Sequence, residues 1–402
     1  MNIIIVGAGA AGFFAALNIK SLLPHAEVVI LEKTQQSLSK VKISGGGRCN
    51  VTHSCFEPNK LLKGYPRGNK ELLGPFYKFQ PRDMIRWLEE RGVTVKAEDD
   101  GRMFPDSNSS QTIIDCFKAE AVKLGVVLRY GAEVVSIRRS NFWQVELSSR
   151  DVLDADSVLV ATGSLQKSYR WIEEVGHSIV SPVPSLFTFN IQDERLEGLS
   201  GVSVADVEVG ILGYQQRGPL LITHWGLSGP AILKLSAWAA RDLHTANYEA
   251  NLEICFLPSQ TSDSLRKIFE EKRKSASKQL VLNDPPIGIP KNLWKRLLQA
   301  SQIPETRIFA QLSKDELLRL IDQLLHSNFM VRGKSIYKEE FVTCGGVSLD
   351  EIDFRRMESK IVPGLYFAGE VLNIDGITGG FNFQNAWTTA WIASQAIANS
   401  NV

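Results

Sequence analysis

The first twelve residues constrain this chain more than any others. Asn2-Ile3-Ile4-Ile5-Val6 is a short apolar run, and Gly7-Ala8-Gly9-Ala10-Ala11-Gly12 follows it without a spacer. The run predicts a buried strand, and Ala10 to about Leu23 predicts a helix stopped by Pro24. Val28–Leu31 is a second apolar strand, closed by Glu32. Strand, glycine turn, helix and strand form the opening unit of a parallel sheet. In that setting the three glycines have separate duties. Gly7 permits the tight turn, Gly9 lets a pyrophosphate approach the backbone, and Gly12 lets the helix pack on the sheet. The first-turn amides, those of Ala10 and Ala11 among them, face the phosphates together with the helix dipole. Glu32, twenty residues past Gly12, is placed to accept hydrogen bonds from a ribose hydroxyl. An acid there disfavours a 2′-phosphate, so FAD or NAD fits better than NADP. Lys33 follows it and joins the expected cofactor-binding set.

Composition sets the outer bounds. A chain of 402 residues that is 44% hydrophobic can bury a large core divided among two or three domains. A net charge of +1 gives no global basicity that would point to nucleic acid. Cys49, Cys55, Cys116, Cys255 and Cys344 are odd in number and widely spaced, which predicts reduced thiols and a cytoplasmic location. No CxxC pair suggests zinc, so no metal is expected. The apolar N-terminus lacks a basic leader and is broken by glycines, so it reads as a strand rather than a signal peptide. No stretch approaches the roughly 18 apolar residues of a membrane span, and no membrane partner is expected.

Residues 40–70 carry seven basic residues and one acid, Glu57, and read as a long functional loop. Helices are predicted around Arg82–Arg91 and Gln111–Leu124, and a buried strand over Ser157–Ala161. Past Pro182 and Pro184 the pattern alternates in short runs, predicting a β-rich insertion over 186–257. Residues 258–340 read as helical, with fifteen basic and ten acidic residues. That net of +5 suits either a solvated helical face or phosphate contact. From Phe341 the glycine-rich, sheet-like pattern returns, and Gly379-Gly380 leads into a helix running to about Asn399. The fold class expected is α/β: a two-part Rossmann-like FAD-binding domain from 1–185 and 341–402, with inserted β-rich (186–257) and helical (258–340) subdomains.

Three further segments choose FAD over NAD. Ala161-Thr162-Gly163 ends one strand, and Gly369-Glu370 ends another near the C-terminus. Gly379-Gly380-Phe381-Asn382 opens a helix whose free amides are suited to the flavin pyrimidine edge, where they would stabilise negative charge on reduced flavin. No second Gly-x-Gly-x-x-Gly follows a later strand. NADH or NADPH would therefore donate electrons by transient docking rather than from a dedicated domain.

The motifs Ser44-Gly45-Gly46-Gly47-Arg48-Cys49-Asn50, Gly101-Arg102-Met103-Phe104-Pro105, Thr223-His224-Trp225-Gly226-Leu227-Ser228-Gly229-Pro230 and Thr343-Cys344-Gly345-Gly346-Val347 are more specific, as is the whole of 369–387. Through them the chain resembles, over nearly its full length, a bacterial flavoprotein family of NAD(FAD)-utilising dehydrogenases and aminoacetone-oxidase-like proteins. That family includes a bile-acid enone reductase and rRNA dihydrouridine synthase-like members. Two departures stand out. Gly163 is followed by Ser164 where the family commonly has a second glycine, and His53 stands where asparagine is usual. The resemblance implies an FAD-dependent oxidoreductase that passes hydride to an activated C=C bond of a small molecule. Uridine reduction in ribosomal RNA, amine oxidation and non-catalytic redox sensing are the alternatives.

Several residues are candidates for the chemistry. Ser44, Gly46, Gly47 and Arg48 form a glycine-rich loop with a cation, suited to a pyrophosphate, a flavin or an anionic substrate. Gly345 would let backbone approach the cofactor. Glu370 stands where related folds place an acid near the ribityl or phosphate region, and Asp375 is a second candidate; both could instead cap turns. Cys49 and Cys344 are either a redox pair or small buried hydrophobes. His224 is either a proton donor or acceptor at the substrate, or a histidine that fixes its turn.

Overall fold

The structure, a computed structural model, describes residues 1–335 and 342–401. These separate into two compact units, Met1–Pro184 with Lys338–Val402, and Ser185–Tyr337.

The first unit is organised by a parallel sheet. A strand with no polar face must be covered on both sides, and β1 (Asn2–Val6) is buried from Ile3 onward. It lies between β2 (Glu27–Glu32) and a later strand, with Ile4 level with Val29 on one side and Val158 on the other. β3 (Val127–Tyr130) adds to the outer edge of β2, β4 (Ser157–Val160) is the second neighbour of β1, and β5 (Leu365–Phe367) adds to β4. All these pairings are parallel, in the order β3-β2-β1-β4-β5. Glu358–Ser359 and Ile352–Asp353 extend the β5 edge antiparallel. The strand order reverses between β1 and β4. In open α/β sheets the ligand crevice lies there, beyond the carboxyl ends of the strands.

The helices of this unit include α1 (Ala10–Leu22), α2 (Leu73–Lys78), α3 (Pro81–Glu89), α4 (Ser110–Leu124), α5 (Gln166–Glu174) and α6 (Phe381–Ala398). Phe14 of α1 explains why both chain ends belong to one core. Its ring lies 5.1 Å from Trp87 of α3, 6.3 Å from Phe117 of α4 and 5.5 Å from Trp387 of α6. The N-termini of the helices differ. At the start of α3 Gln80 N donates to the Asp83 carboxylate at 2.9 Å, and Ser109 accepts from Gln111 N at the start of α4. α1 and α6 start at glycines with no side-chain cap and no acid in the first turn.

The second unit holds a seven-stranded sheet in the order Ser327–Arg332, Glu249–Cys255, Ser203–Ile211, Tyr214–Ile222, Gly226–Ser228, Thr188–Asn190, Lys334–Ser335. The division expected between 257 and 258 is not a seam in this unit. Ser327–Arg332, from the stretch read as helical, pairs along its length with Glu249–Cys255. Leu293, Trp294 and Leu320 share one core with Val209 and Leu252. Periodicity identifies an element's type but not the elements whose apolar faces close on one another. The border placed at 340/341 lies outside the described residues. The long loop read over 40–70 contains short elements: the helix Ser39–Gly47, broken from Ser44 on, the strand Thr52–His53, and the helical turns Pro58–Leu61 and Leu62–Gly64. None is long enough to show a hydrophobic period. Among the described residues no helix is long and apolar enough to cross a membrane.

Candidate functional site

The site is built at the carboxyl edge of β1, β2, β4 and β5. Gly7 leaves β1 with φ +110 and donates to Leu31 O at 2.9 Å. The three fingerprint glycines sit in different surroundings. A Cβ on Gly7 would lie 2.5 Å from Ala161 O, and one on Gly12 would run into Gly7 O. A Cβ on Gly9 would meet nothing within 4 Å. Gly7 and Gly12 are therefore required by packing, while Gly9 borders open space in front of the uncapped amides of Ala10 and Ala11.

Glu32 closes β2 and is held at both oxygens. It accepts from Ala8 N at 3.1 Å on one, and from Thr34 N and Oγ1, both at 2.9 Å, on the other. The carboxylate is thus pinned beside the glycine loop, with lone pairs left for further donors. Lys33 is exposed next to it. After β4, Ala161 donates to Val6 O, Thr162 Oγ1 meets Ser168 Oγ at 2.9 Å, and Gly163 turns with φ +60. After β5, Gly369 N donates to Thr389 Oγ1 of α6 at 2.9 Å, and a Cβ on Gly369 would lie 3.0 Å from that of Ala11. Glu370 accepts from Lys40 Nζ at 2.6 Å and Thr343 N at 3.1 Å. Lys40 is an ion-pair partner that sequence reasoning did not single out. The pairing spans 330 residues, and only the folded topology brings the two together.

Ser44–Asn50 runs beside this edge. Gly45, Gly46 and Gly47 take successive left-handed conformations with φ +57, +67 and +83, and Cβ atoms on Gly46 and Gly47 would meet nothing within 4 Å. Their backbone is open, as a nest for an anion requires. Arg48 is engaged elsewhere: it pairs with Glu98 at 2.6 Å, and its guanidinium carbon lies 3.9 Å from the centre of the Phe104 ring. Its charge is already compensated, so the amides of this loop are better placed than its cation to meet an anion.

At the opening of α6, Gly379 and Gly380 have φ +125 and +93, and a side chain on Gly380 would strike Thr52 O. Phe381 lies against His53, ring centres 4.8 Å apart, and its carbonyl accepts from Tyr65 Oη at 2.7 Å. Asn382 bonds Gly376 twice, accepting from its N at 2.8 Å and donating to its O at 2.9 Å, so its amide closes the 376–382 loop. Asp375, wholly buried, takes a two-point ion pair from Arg67. The geometry therefore makes Asp375 a fastener of this loop. Gly345 is explained by packing as well, because a Cβ there would lie 2.7 Å from Pro182 Cα.

Cys49 and Cys344 are fully buried, and among the described residues no cysteine is in a disulfide. Burial pushes the Cys49 thiol up to about 12, which disfavours the thiolate form. Thiol labelling of the folded protein is expected to reach no more than the three partly exposed cysteines, Cys55, Cys116 and Cys255, with all five reacting in denaturant. Fast labelling of Cys49 in the native state would contradict this. His224 lies in the second unit, exposed at the tip of a tight turn held by Thr223 N donating to Gly226 O at 2.8 Å. The turn is fixed by its backbone and by the Thr223 hydroxyl rather than by the histidine ring.

The first unit thus gathers an open glycine, two uncapped helix N-termini, a nest of left-handed glycines and a pinned carboxylate. Such a set can hold an elongated anionic dinucleotide. Comparison with known proteins agrees with this architecture. The family model described as the HI0933-like protein Rossmann domain matches residues 1–396. A protein of Escherichia coli (strain K12) named ribosomal RNA dihydrouridine synthase is 32% identical over 407 aligned residues, covering 98% of this chain and 96% of the relative. One of Clostridium scindens named 3-dehydro-bile acid delta(4,6)-reductase is 26% identical, covering 98% of each. The crystal structure of a 3-ketosteroid Δ1-dehydrogenase from Sterolibacterium denitrificans shares the fold, with a TM-score of 0.53 at 12% identity over 99% of each chain.

Proposed function

Because the chain belongs to the HI0933-like Rossmann family, we propose that it is an FAD-dependent oxidoreductase that reduces a conjugated C=C bond, and that this bond is C5=C6 of a uracil ring in ribosomal RNA. Bound FAD, once reduced, supplies hydride to an electron-poor carbon. The observation that carries the cofactor reading is the contrast among the glycines: Gly7 and Gly12 are filled by packing, whereas Gly9 borders open space beneath an uncapped helix. There the amides of Ala10 and Ala11 would face the pyrophosphate and Glu32 would accept from ribose hydroxyls, with Lys33 beside it. Ala161, Thr162 and Gly163, with Gly369 and Glu370, would line the middle of the cofactor. Ser44, Gly46, Gly47 and the residues Gly379–Asn382 would lie toward the flavin. The first-turn amides of α6 would stabilise negative charge as it develops on the ring system.

A uracil C5=C6 bond is conjugated with a carbonyl, as is the reducible bond of an enone. One chemistry therefore suits both the RNA-modifying and the steroid-reducing relatives. The higher identity to the former, over the whole chain, favours uridine. NADH or NADPH is the expected electron source, by transient docking. The test is anaerobic reduction of the purified flavoprotein by each nucleotide, followed by reoxidation with unmodified ribosomal RNA or with a small steroid enone. Dihydrouridine formed in the RNA, and its loss from the ribosomes of cells lacking the gene, is the expected result. Ribosomal dihydrouridine that persists without the gene would sink the RNA assignment. Turnover of the enone alone would then return the substrate to a small molecule, and rapid peroxide release in air would point to an oxidase.

A further inference from the structure

We propose that residues 56–86 form a docking surface for single-stranded RNA beside the site, with Tyr77 stacking a base and Lys63 and Arg82 seating phosphates. This rests on the RNA reading above. The stretch carries seven Lys and Arg against three Asp and Glu, a net of +4 in a chain whose total is +1. Much of that charge is uncompensated. Arg67 is tied to Asp375 and Lys60 to Glu57, but Lys63 and Lys70 are exposed and form no ion pair among the described residues. The guanidinium carbon of the exposed Arg82 lies 5.3 Å from the centre of the exposed Phe56 ring.

Apolar groups are exposed in the same stretch. Leu73 and Tyr77 are one turn apart on the same face of α2, 37% and 67% exposed, while Pro75 and Phe76 bury the opposite face. An exposed tyrosine on a packed helix is a low-entropy platform for a nucleobase, and cations around it attract the backbone. The stretch is also fastened to the loop that opens α6. Gly64 O accepts from Ile377 N at 2.8 Å, Gly68 sits against Ile374, and Arg67 grips Asp375. A strand held on this surface would be held at a fixed position relative to Gly379-Gly380, which is what positioning one target base requires.

The experiment uses the full-length, FAD-loaded protein and a fluorescent single-stranded oligouridylate, read by anisotropy across a salt series. Tyr77→Ala is expected to weaken binding by roughly 5- to 100-fold, and Tyr77→Phe to retain most of it. Lys63→Gln combined with Arg82→Gln is expected to flatten the plot of log affinity against log salt by about 0.7 per removed phosphate contact. Flavin content and melting temperature, unchanged for these exposed positions, identify properly folded variants. Wild-type affinity in both variants would overturn the surface assignment. So would polyglutamate competing as well as RNA, which would mark a general polyanion patch, or a dimer that Tyr77→Ala dissociates, which would mark a seam between copies. Absence of salt-sensitive RNA binding by the wild type would instead refute the RNA reading on which the proposal rests.

Discussion

Gly12→Val is expected to abolish the folded flavoprotein, whereas Gly9→Ala is expected to leave a fully folded protein that has lost its flavin. The two changes look alike on paper and differ in what surrounds them. A Cβ at Gly12 collides with the carbonyl of Gly7, which is backbone and itself wedged against Ala161. Neither side can give without separating α1 from β1. Overpacking a rigid core costs about 1–3 kcal/mol and occasionally more, and this site belongs at the upper end. Gly9 has φ −86 and ψ −168, a conformation open to any residue, and its Cβ would meet nothing. Alanine there would alter stability by less than about 1 kcal/mol, and trimming the freedom of the unfolded chain could raise it. The added methyl would instead occupy the ground that the dinucleotide needs. Thermal melting together with flavin absorbance separates the outcomes. Full flavin occupancy in Gly9→Ala would show that this opening is not the phosphate seat.

The second large effect is expected at Arg67 and Asp375. Asp375 is wholly buried and Arg67 nearly so, and they meet through two bonds. Breaking a buried ion pair by removing one member typically costs about 3–5 kcal/mol, whereas replacing both with apolar residues is often close to neutral. Arg67→Met is therefore expected to lower stability by several kcal/mol and weaken flavin retention. Arg67→Met with Asp375→Leu should recover part of the stability, measured by urea denaturation as a double-mutant cycle. A single variant as stable as the wild type would show that the pair does not hold the loop.

The legible and the hidden parts of this molecule divide on physical lines. β1, the glycine turn, α1 and β2 follow one another within 32 residues, so local pattern and spacing suffice to read them. The α/β class and the family likewise follow from motifs that survive as contiguous strings. The Lys40–Glu370 and Arg67–Asp375 pairs join positions more than 300 residues apart, and nothing local marks their partners. Arg48 reads as an available cation because its sequence neighbours are glycines, but Glu98 is brought to it by a separate strand pairing. Cys49 reads as a candidate thiol because it sits in a loop motif, yet within that open loop it is itself fully buried. The merging of the two expected insertions has the same origin: Ser327–Arg332 finds its partner across the helices that precede it.

The Phe14 cluster has a consequence for the order in which the protein can be made. Its ring is completed by Trp387, and the sheet that α1 covers is completed by β5, so β1 and α1 wait for segments made long after them. Until then Ile3–Val6 and the apolar sides of α1 have only part of their cover. The second unit, continuous in sequence, has no such wait and can collapse while synthesis is under way. The first unit is therefore expected to be the slower of the two to fold and the more exposed to aggregation or to chaperone capture. Truncation before α6 removes Trp387 and the glycine-led start of that helix, and is expected to leave this core uncovered rather than slightly weakened.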